Sequence, residues 1–169
     1  AIEFSEPSAA YQNFLTCFEA GIPVVSGTTG WLDQMDDIKR KCKEGNTFFY
    51  ASNFSIGVNI FFRLNRQLAE LMKKTENYDV GMEETHHTEK KDAPSGTAIS
   101  LAEDILAVNE IKKNWVKENA VNDSEIAIRS IRKDKVPGIH TIRYESDVDY
   151  IEIKHSAKNR VGFATGAVI

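Results

Sequence analysis

The stretches IPVVSGTTGW (residues 22–31) and TFFYASNF (residues 47–54) decide the fold class of the first third of the chain. Each begins with a short run of β-branched or aromatic residues, which is typical of a buried strand, and each continues into a polar loop. Between them Met35, Ile38 and Cys42 recur at the spacing of one helix face. Strands that alternate with helices in this way predict an open, parallel α/β sheet.

The residues before this region extend the same pattern. Residues 1–4 are a short strand candidate, and Pro7 is followed by Ser8, a plausible N-cap. The helix that this start predicts carries Tyr11, Phe14, Leu15 and Phe18 and ends at Gly21. The first third of the chain is therefore predicted to be half of a doubly wound domain.

From Gly57 onward the pattern changes to one long helix followed mainly by strands. The helix is predicted to bury Ile60, Phe61, Leu64, Leu68, Leu71 and Met72 on one face. Strands are predicted at 78–83, 125–131, 139–145 and 150–155, a helix at 98–108, a loop at 112–124 and a closing strand at 161–169. Strands in series predict an α+β domain with a mixed or antiparallel sheet.

The composition excludes several classes of protein. The 169 residues are 41% hydrophobic and 27% charged, as in an ordinary globular protein, and the formal net charge of -4 argues against a general nucleic-acid coat. No apolar run approaches the roughly 20 residues that cross a bilayer, and the start lacks the regions of a signal peptide. We therefore expect a cytoplasmic protein with no nucleic-acid or membrane partner and with Cys17 and Cys42 as reduced thiols. The chain begins at Ala1 without Met, and both ends look cut.

The densest polar segment is EETHHTEKKDAPSGTA at residues 83–98. One interpretation is a solvated loop, and a second is a metal site formed by Glu84, His86 and His87. Adjacent side chains of a strand point in different directions, so the two histidines rarely converge on one ion. The third interpretation is acid–base chemistry beside an anion pocket, with a histidine that exchanges protons and Lys90 that pairs with a substrate carboxylate or helps to protonate the substrate.

The end of this segment could bind an anion. Gly96 lets a ligand approach the backbone, and Ser95 and Thr97 offer hydroxyls and amides at a helix start, where the helix dipole favours negative charge. The alternative is an ordinary capped helix. His140 and His155 fall in strand patterns and are interpreted as structural side chains, and Arg160 is ambiguous.

A second candidate site is formed by the loops that follow two predicted strands, 27–30 and 51–54. Ligands of open α/β sheets bind outside the carboxyl ends of the strands, so both loops could face one cleft. A tight turn at Gly27 and Gly30 needs no ligand, however, and Phe54 could be a core residue. The ten glycines include no G-x-G-x-x-G spacing, so either no dinucleotide binds or that loop lay upstream.

The segment ETHHTEKKDAPSGTA resembles the E-x-H-H-x-x-K-x-D-A-P-S-G-T-A signature of 4-hydroxy-tetrahydrodipicolinate reductases. The resemblance extends over nearly the whole chain. IEFSEPSA is similar to the family's D-F-T-x-P strand end, GTTGW to its G-T-T-G-aromatic loop and ASNFSIGVN to its hinge, and the return HSAKNRVGFATGAV is also similar. Glu3, Ser5 and Asp134 depart from the residues that are common in the family.

The resemblance implies a two-domain reductase that uses NADH or NADPH. A Rossmann-like domain would bind the cofactor, and its second half is residues 1–54. The domain that binds a cyclic dicarboxylate and joins subunits into a homotetramer would be residues 55–160. The chain would return to the first domain at residues 161–169. Because the family's phosphate loop is absent, the chain alone is expected to bind dinucleotide weakly and to be inactive. The alternatives are a metal-dependent hydrolase and an assembly module without catalysis.

The resemblance also assigns roles by position, and it implies no metal. His86 would be the general acid/base and Lys90 the proton donor. The substrate carboxylates would be held by His87, Ser95, Gly96 and Thr97. The nicotinamide side of the cofactor site would be lined by Gly27, Thr28, Thr29, Ala51, Ser52, Asn53 and Phe54.

Overall fold

In the computed structural model, which describes residues 1–169, the chain divides into two units. Unit 1 consists of Ala1–Ser55 with Phe163–Ile169, and unit 2 consists of Ile56–Gly162. No helix combines the length and the apolar character that crossing a membrane requires.

Unit 1 is a three-stranded parallel sheet with helices. Its elements are β1 (Ile2–Glu3), α1 (Pro7–Glu19), β2 (Val24–Ser26), a 3₁₀ turn (Leu32–Gln34), α2 (Met35–Lys43) and β3 (Phe48–Tyr50), and its last residues lie in a helix, Val161–Val168. The strand order is β1-β2-β3, and both pairings are parallel. The prediction of a parallel α/β sheet is confirmed.

The core of unit 1 is aromatic. Phe14, on the buried face of α1, is fully enclosed, and its ring centroid lies 4.8 Å from that of Trp31 and 4.9 Å from that of Phe48. Both pairs have the edge-to-face geometry that aromatic rings prefer. Ala10 and Phe18, one helical turn to either side of Phe14, complete this face.

Three predictions for unit 1 are wrong in detail. Helix α1 begins at Pro7 with Glu6 at the N-cap. The fixed φ of proline suits the first helical position, and an N–H at that position would have no acceptor within the helix, so proline loses no hydrogen bond there. Strand β3 is only partly buried, since it lies at the edge of this sheet and Phe49 is 59% exposed. Residues 161–168 form a helix rather than a strand, because periodicity cannot distinguish the two in a short run of small and apolar residues.

Unit 2 packs helices on one face of a five-stranded mixed sheet. Its elements are α3 (Ile56–Met72), β4 (Asp79–His86), α4 (Gly96–Leu106), β5 (Asn114–Lys117), β6 (Glu125–Arg132), β7 (Ile139–Glu145) and β8 (Tyr150–Ser156); the terminal helix, named α5 below, begins at Val161. The strand order is β5-β6-β4-β7-β8. The β5–β6 and β6–β4 pairings are parallel and the other two are antiparallel, so the predicted mixed sheet is confirmed. The segment predicted as a loop contains β5.

The buried face of α3 matches the predicted one only in part, since Phe61 and Met72 are buried as predicted and Ile60, Leu64 and Leu71 are exposed. Phe61, Asn65 and Ala69 are buried, whereas Ile60 and Leu64 are 56% and 47% exposed. Asn65 lies at the centre of the buried face because its side-chain amide donates a hydrogen bond of 3.0 Å to the Leu101 carbonyl on α4. Hydropathy alone does not identify this helix face, because Asn65, a polar residue, is buried where its hydrogen-bond partner lies on the neighbouring helix.

Candidate functional site

The register of three strands places the site residues in two rows. In the first row Glu84 of β4 lies between Ser130 of β6 and His140 of β7. In the second row His86 pairs with Arg132 of β6, and Gly138 precedes the β7 residue that pairs with Thr85. Residues two apart on a strand share a face, so Glu84 and His86 both point to the side on which helix α4 begins.

Glu84 is a fully buried carboxylate with several donors. It accepts two hydrogen bonds from the Ser95 amide, at 3.0 and 3.1 Å, and one of 3.0 Å from the Ser130 hydroxyl. Arg132 Nη2 lies 3.5 Å from Oε1. Burial would raise the pKa of Glu84, but the hydrogen bonds from Ser95 and the other partners outweigh burial and hold it below the usual value. Glu84 is therefore charged at neutral pH.

His86 lies beside this carboxylate as a neutral imidazole. Its Nδ1 is buried and 3.4 Å from Glu84 Oε2, without the alignment of a hydrogen bond. Burial lowers the pKa of His86 to about 4; Glu84 partly opposes this shift, and Lys90 and Arg132 add to it. At the other edge of the ring, a Cβ added to Gly138 would lie 3.1 Å from Nε2. The absent side chain of Gly138 therefore leaves space beside Nε2.

His140 joins the same cluster, which the sequence interpretation as a structural residue did not anticipate. It is 4% exposed, and its Nε2 lies 3.2 Å from the Ser95 hydroxyl and 3.8 Å from Glu84 Oε2. Burial, with His86 as the next cause, lowers the pKa of His140 to about 3. The alternation along the strand indicates that His140 is buried, because it shares a face with Ile142 and Tyr144, which are both buried.

The start of helix α4 is closed by Ser95. Ser95 is the N-cap, its hydroxyl accepts a hydrogen bond of 3.2 Å from the Ala98 amide, and its own amide donates to Glu84. A carboxylate of the protein therefore already occupies the first of the three predicted anion-binding amides. Gly96 is half-buried and Thr97 is buried, and both lie in the first turn of the helix.

Lys90 lies on the loop after β4 and is paired with Asp92. Its ammonium donates to both Asp92 oxygens, at 2.7 and 2.8 Å. Burial would raise the pKa of Asp92, but the hydrogen bond from Lys90 outweighs it and the pKa is lowered. Arg132 fixes this loop, because its guanidinium donates to the Lys90 and Asp92 carbonyls. Lys91 is exposed.

His87 lies apart from the buried cluster. Its Nε2 is 3.2 Å from Arg160 Nη2, so the structure brings together two residues that the sequence could not link. The group whose ligand atoms all lie within 4.8 Å of one another is Glu84, His86 and His140, rather than the predicted set with His87. A divalent ion there would compete with the donors to Glu84 and with the nearby Arg132 charge, which disfavours a metal.

The predicted cofactor loops of unit 1 follow neighbouring parallel strands and leave the sheet at the same edge. Several of their side chains stabilise the loops themselves. The buried Thr28 hydroxyl accepts a hydrogen bond of 2.9 Å from the Ser5 amide, Asn53 Oδ1 accepts one of 2.9 Å from the Ser55 amide, and Phe54 is 8% exposed. Thr29 and Ser52 are exposed. The edge therefore presents exposed hydroxyls beside ordered turns.

Comparisons with known proteins agree with this architecture. The family model described as dihydrodipicolinate reductase, N-terminus, matches residues 1–54, and the model described as dihydrodipicolinate reductase, C-terminus, matches residues 57–169. A curated 4-hydroxy-tetrahydrodipicolinate reductase from Christiangramia forsetii is 55% identical over 170 residues, which cover 100% of this chain and 71% of that protein. One of the same name from Oleidesulfovibrio alaskensis is 35% identical, with 99% and 66% covered.

A solved structure shows the same fold. The dipicolinate-bound dihydrodipicolinate reductase from Paenisporosarcina sp. TG-14 matches with a TM-score of 0.68 and 25% identity, over 99% of this chain and 65% of that one. The chain thus spans about two thirds of the length of these relatives.

Proposed function

The chain belongs to the dihydrodipicolinate reductase family, and from this membership we propose that the full-length protein reduces 4-hydroxy-tetrahydrodipicolinate to tetrahydrodipicolinate in lysine and diaminopimelate biosynthesis. A nicotinamide cofactor supplies the hydride, and both NADH and NADPH are candidates. The observation that carries the proposal is the neutral imidazole of His86, whose Nδ1 lies 3.4 Å from a buried carboxylate, with the Lys90 ammonium on the adjoining loop.

The substrate is a ring with two carboxylates, and unit 2 offers cationic and amide donors for them. Lys90 can exchange Asp92 for a substrate carboxylate, because the Asp92 side chain is 59% exposed and water can solvate it after the exchange. His87, beside the Arg160 guanidinium, is proposed to hold the second carboxylate. The amides of Gly96 and Thr97 complete this set, whereas Ser95 acts through Glu84 and His140.

The acid–base roles follow from charge. The overall reaction removes water from the ring and adds a hydride and a proton. His86 is neutral in the free protein because burial lowers its pKa to about 4, so it accepts a proton before it can donate one. A dianionic ring beside it would favour the imidazolium. The Lys90 ammonium is proposed to deliver a proton to the carbon next to the one that receives the hydride.

The cofactor is proposed to bind through the loops of unit 1. Gly27, Thr28 and Thr29 after β2, and residues 51–54 after β3, would lie along its nicotinamide side. The packing of α5 supports a fixed position for the second loop, since a Cβ added to Gly166 would lie 1.8 Å from the Phe54 carbonyl oxygen.

A homotetramer and a cytoplasmic location are also proposed. The sheet face of unit 2 opposite Glu84 carries Glu83, Arg129 and Arg143, and charges of both signs on one face can pair between subunits. Analytical ultracentrifugation of the full-length protein tests the tetramer, and a monomer at micromolar concentration would contradict it.

The test of the function is an assay on the full-length protein with freshly made 4-hydroxy-tetrahydrodipicolinate, in which the absorbance of the reduced nicotinamide is followed. Lys90→Met is expected to lower kcat/KM by about 100-fold, because a proton donor and a carboxylate partner are lost together. The matched control is Lys91→Met, which makes the same change on the next, exposed residue and is expected to stay within about twofold of wild type. Equal activity of the two variants, or a wild-type protein without reductase activity, would contradict the proposal.

A further inference from the structure

The carboxylate of Glu84 contacts both halves of the proposed substrate site. Through its oxygens it binds the Ser95 amide at the start of helix α4, and it lies 3.4 Å from Nδ1 of His86. One side chain thus adjoins the acid–base imidazole and the element that carries the substrate-binding amides. Glu84 is not among the residues to which the resemblance assigns a catalytic or binding role.

A purely structural explanation of Glu84 is incomplete. A buried carboxylate costs several kcal/mol to desolvate, and an apolar side chain of similar size often stabilises a fold as well or better. The donors that compensate Glu84 come from a helix start, which carries Ser95, and from strand β6, which carries Ser130 and Arg132. This arrangement fixes the position of the carboxylate, which is useful when a neighbouring imidazole has to be oriented.

We infer that Glu84 is a positioning residue, which holds His86 with Nδ1–H toward the carboxylate and Nε2 toward Gly138, the edge of the ring at which the substrate is proposed to bind. The inference rests on the proposed function of His86. Glu84 Oε2 lies 3.4 Å from the buried Nδ1, so the negative charge of the carboxylate stabilises a proton on Nδ1. The proton-free Nε2 then faces the opposite edge of the ring, where Gly138 leaves room.

Other charged groups around His86 do not provide this orientation. Lys90 and Asp92 lie on the loop after β4, Arg132 lies on β6 and His140 on β7. Lysine and arginine have no acceptor for an Nδ1 proton, and Asp92 is engaged by the Lys90 ammonium. Nε2 of His140 lies at hydrogen-bond distance from the Ser95 hydroxyl. Glu84 is therefore the group whose removal should release the His86 ring.

The first test measures the tautomer of His86 by nitrogen-15 NMR on this chain and needs no catalysis. The signals are assigned by comparison with His86→Asn. In wild type, His86 is expected to be neutral with the proton on Nδ1, and in Glu84→Gln this preference is expected to be lost. The matched control is Glu83→Gln, the same change one residue earlier on the other sheet face, where the wild-type tautomer should persist. An unchanged tautomer in Glu84→Gln would overturn the inference.

The second test separates positioning from folding by kinetics on the full-length protein. Glu84→Gln is expected to lower kcat by about 100-fold with a smaller change in KM, and the pH dependence of kcat should shift with the altered His86. Glu84→Asp keeps the charge and is expected to recover at least tenfold of that loss. If Glu84→Gln fails to fold, the kinetics of Glu84→Asp test the inference, because the shorter side chain moves the carboxylate away from His86. A wild-type kcat and an unshifted pH profile in Glu84→Asp would contradict the positioning role. If wild type lacks reductase activity, the proposed function fails, whereas the tautomer result still stands.

Discussion

Acid should destabilise unit 2 before Glu84 and Asp92 are protonated, because the unit buries two neutral imidazoles. The pKa of His86 is lowered to about 4 and that of His140 to about 3, mainly by burial. An unfolded histidine has a pKa of about 6.5, so each residue binds a proton on unfolding once the pH falls below that value. Both folded pKa values are depressed, so this stability is fully present above pH 6.5 and is lost as the pH falls toward 4 and 3.

The expected magnitude follows from linkage. Each proton bound on unfolding lowers the free energy of unfolding by about 1.4 kcal/mol per pH unit, so each histidine costs about 2 kcal/mol between pH 7 and pH 5, and the pair about 4 kcal/mol. Glu84 and Asp92 have lowered pKa values and add their losses only at lower pH. His155, whose pKa burial also lowers, acts in the same direction as the pair.

The assay is urea denaturation at both pH values, followed by the fluorescence of Trp115, which lies on β5 of unit 2, in a Trp31→Phe background. His140→Gln is expected to remove about half of the pH dependence. The control His87→Gln alters a half-buried histidine outside the cluster and should leave the dependence intact. A free energy of unfolding that changes by less than about 1 kcal/mol between the two pH values would refute the reasoning, because two buried neutral imidazoles require a larger change.

Two further outcomes follow from the same geometry. Gly138→Ala should lower kcat at least about tenfold, because the new Cβ would lie 3.1 Å from His86 Nε2. The control Gly81→Ala adds a Cβ with no atom within 4 Å and should leave kcat unchanged. Equal kcat values for the two variants would show that the reaction does not depend on the contact between residue 138 and His86. Phe14→Ala should cost about 3–5 kcal/mol of unfolding free energy in unit 1, because the ring is fully buried against Trp31 and Phe48; a cost below about 1 kcal/mol in urea denaturation would contradict this packing.

The sequence was sufficient for the features that depend on local patterns. The alternation of strands and helices around residues 22–54 predicted the parallel sheet, and the strands in series predicted the mixed one. The segment 83–98 contained His86, Lys90 and the start of α4, because these residues are neighbours along the chain. The signature in that segment also led to the family that the comparisons show.

The sequence was insufficient where distant strands meet. Ser130, Arg132 and His140 lie more than 40 residues after Glu84, and only the register of β4 with β6 and β7 brings them together. The register also decides that the Ser95 amide binds Glu84, a partner that no local pattern indicates. The burial of Asn65 on α3 was not predicted for a similar reason, since its hydrogen-bond partner lies on another helix.

Binding of pyridine-2,6-dicarboxylate to this chain tests the central claim most directly, because it needs neither cofactor nor turnover. This planar dicarboxylate, dipicolinate, is bound in the related reductase structure from Paenisporosarcina sp. TG-14. In a nitrogen-15 NMR titration, we expect saturable shifts at His86, Lys90 and Gly96, with binding weakened at least tenfold in Lys90→Met and unchanged in Lys91→Met. Binding that is equal in the two variants, or shifts that spare the loop after β4 and the start of α4, would contradict the site described above.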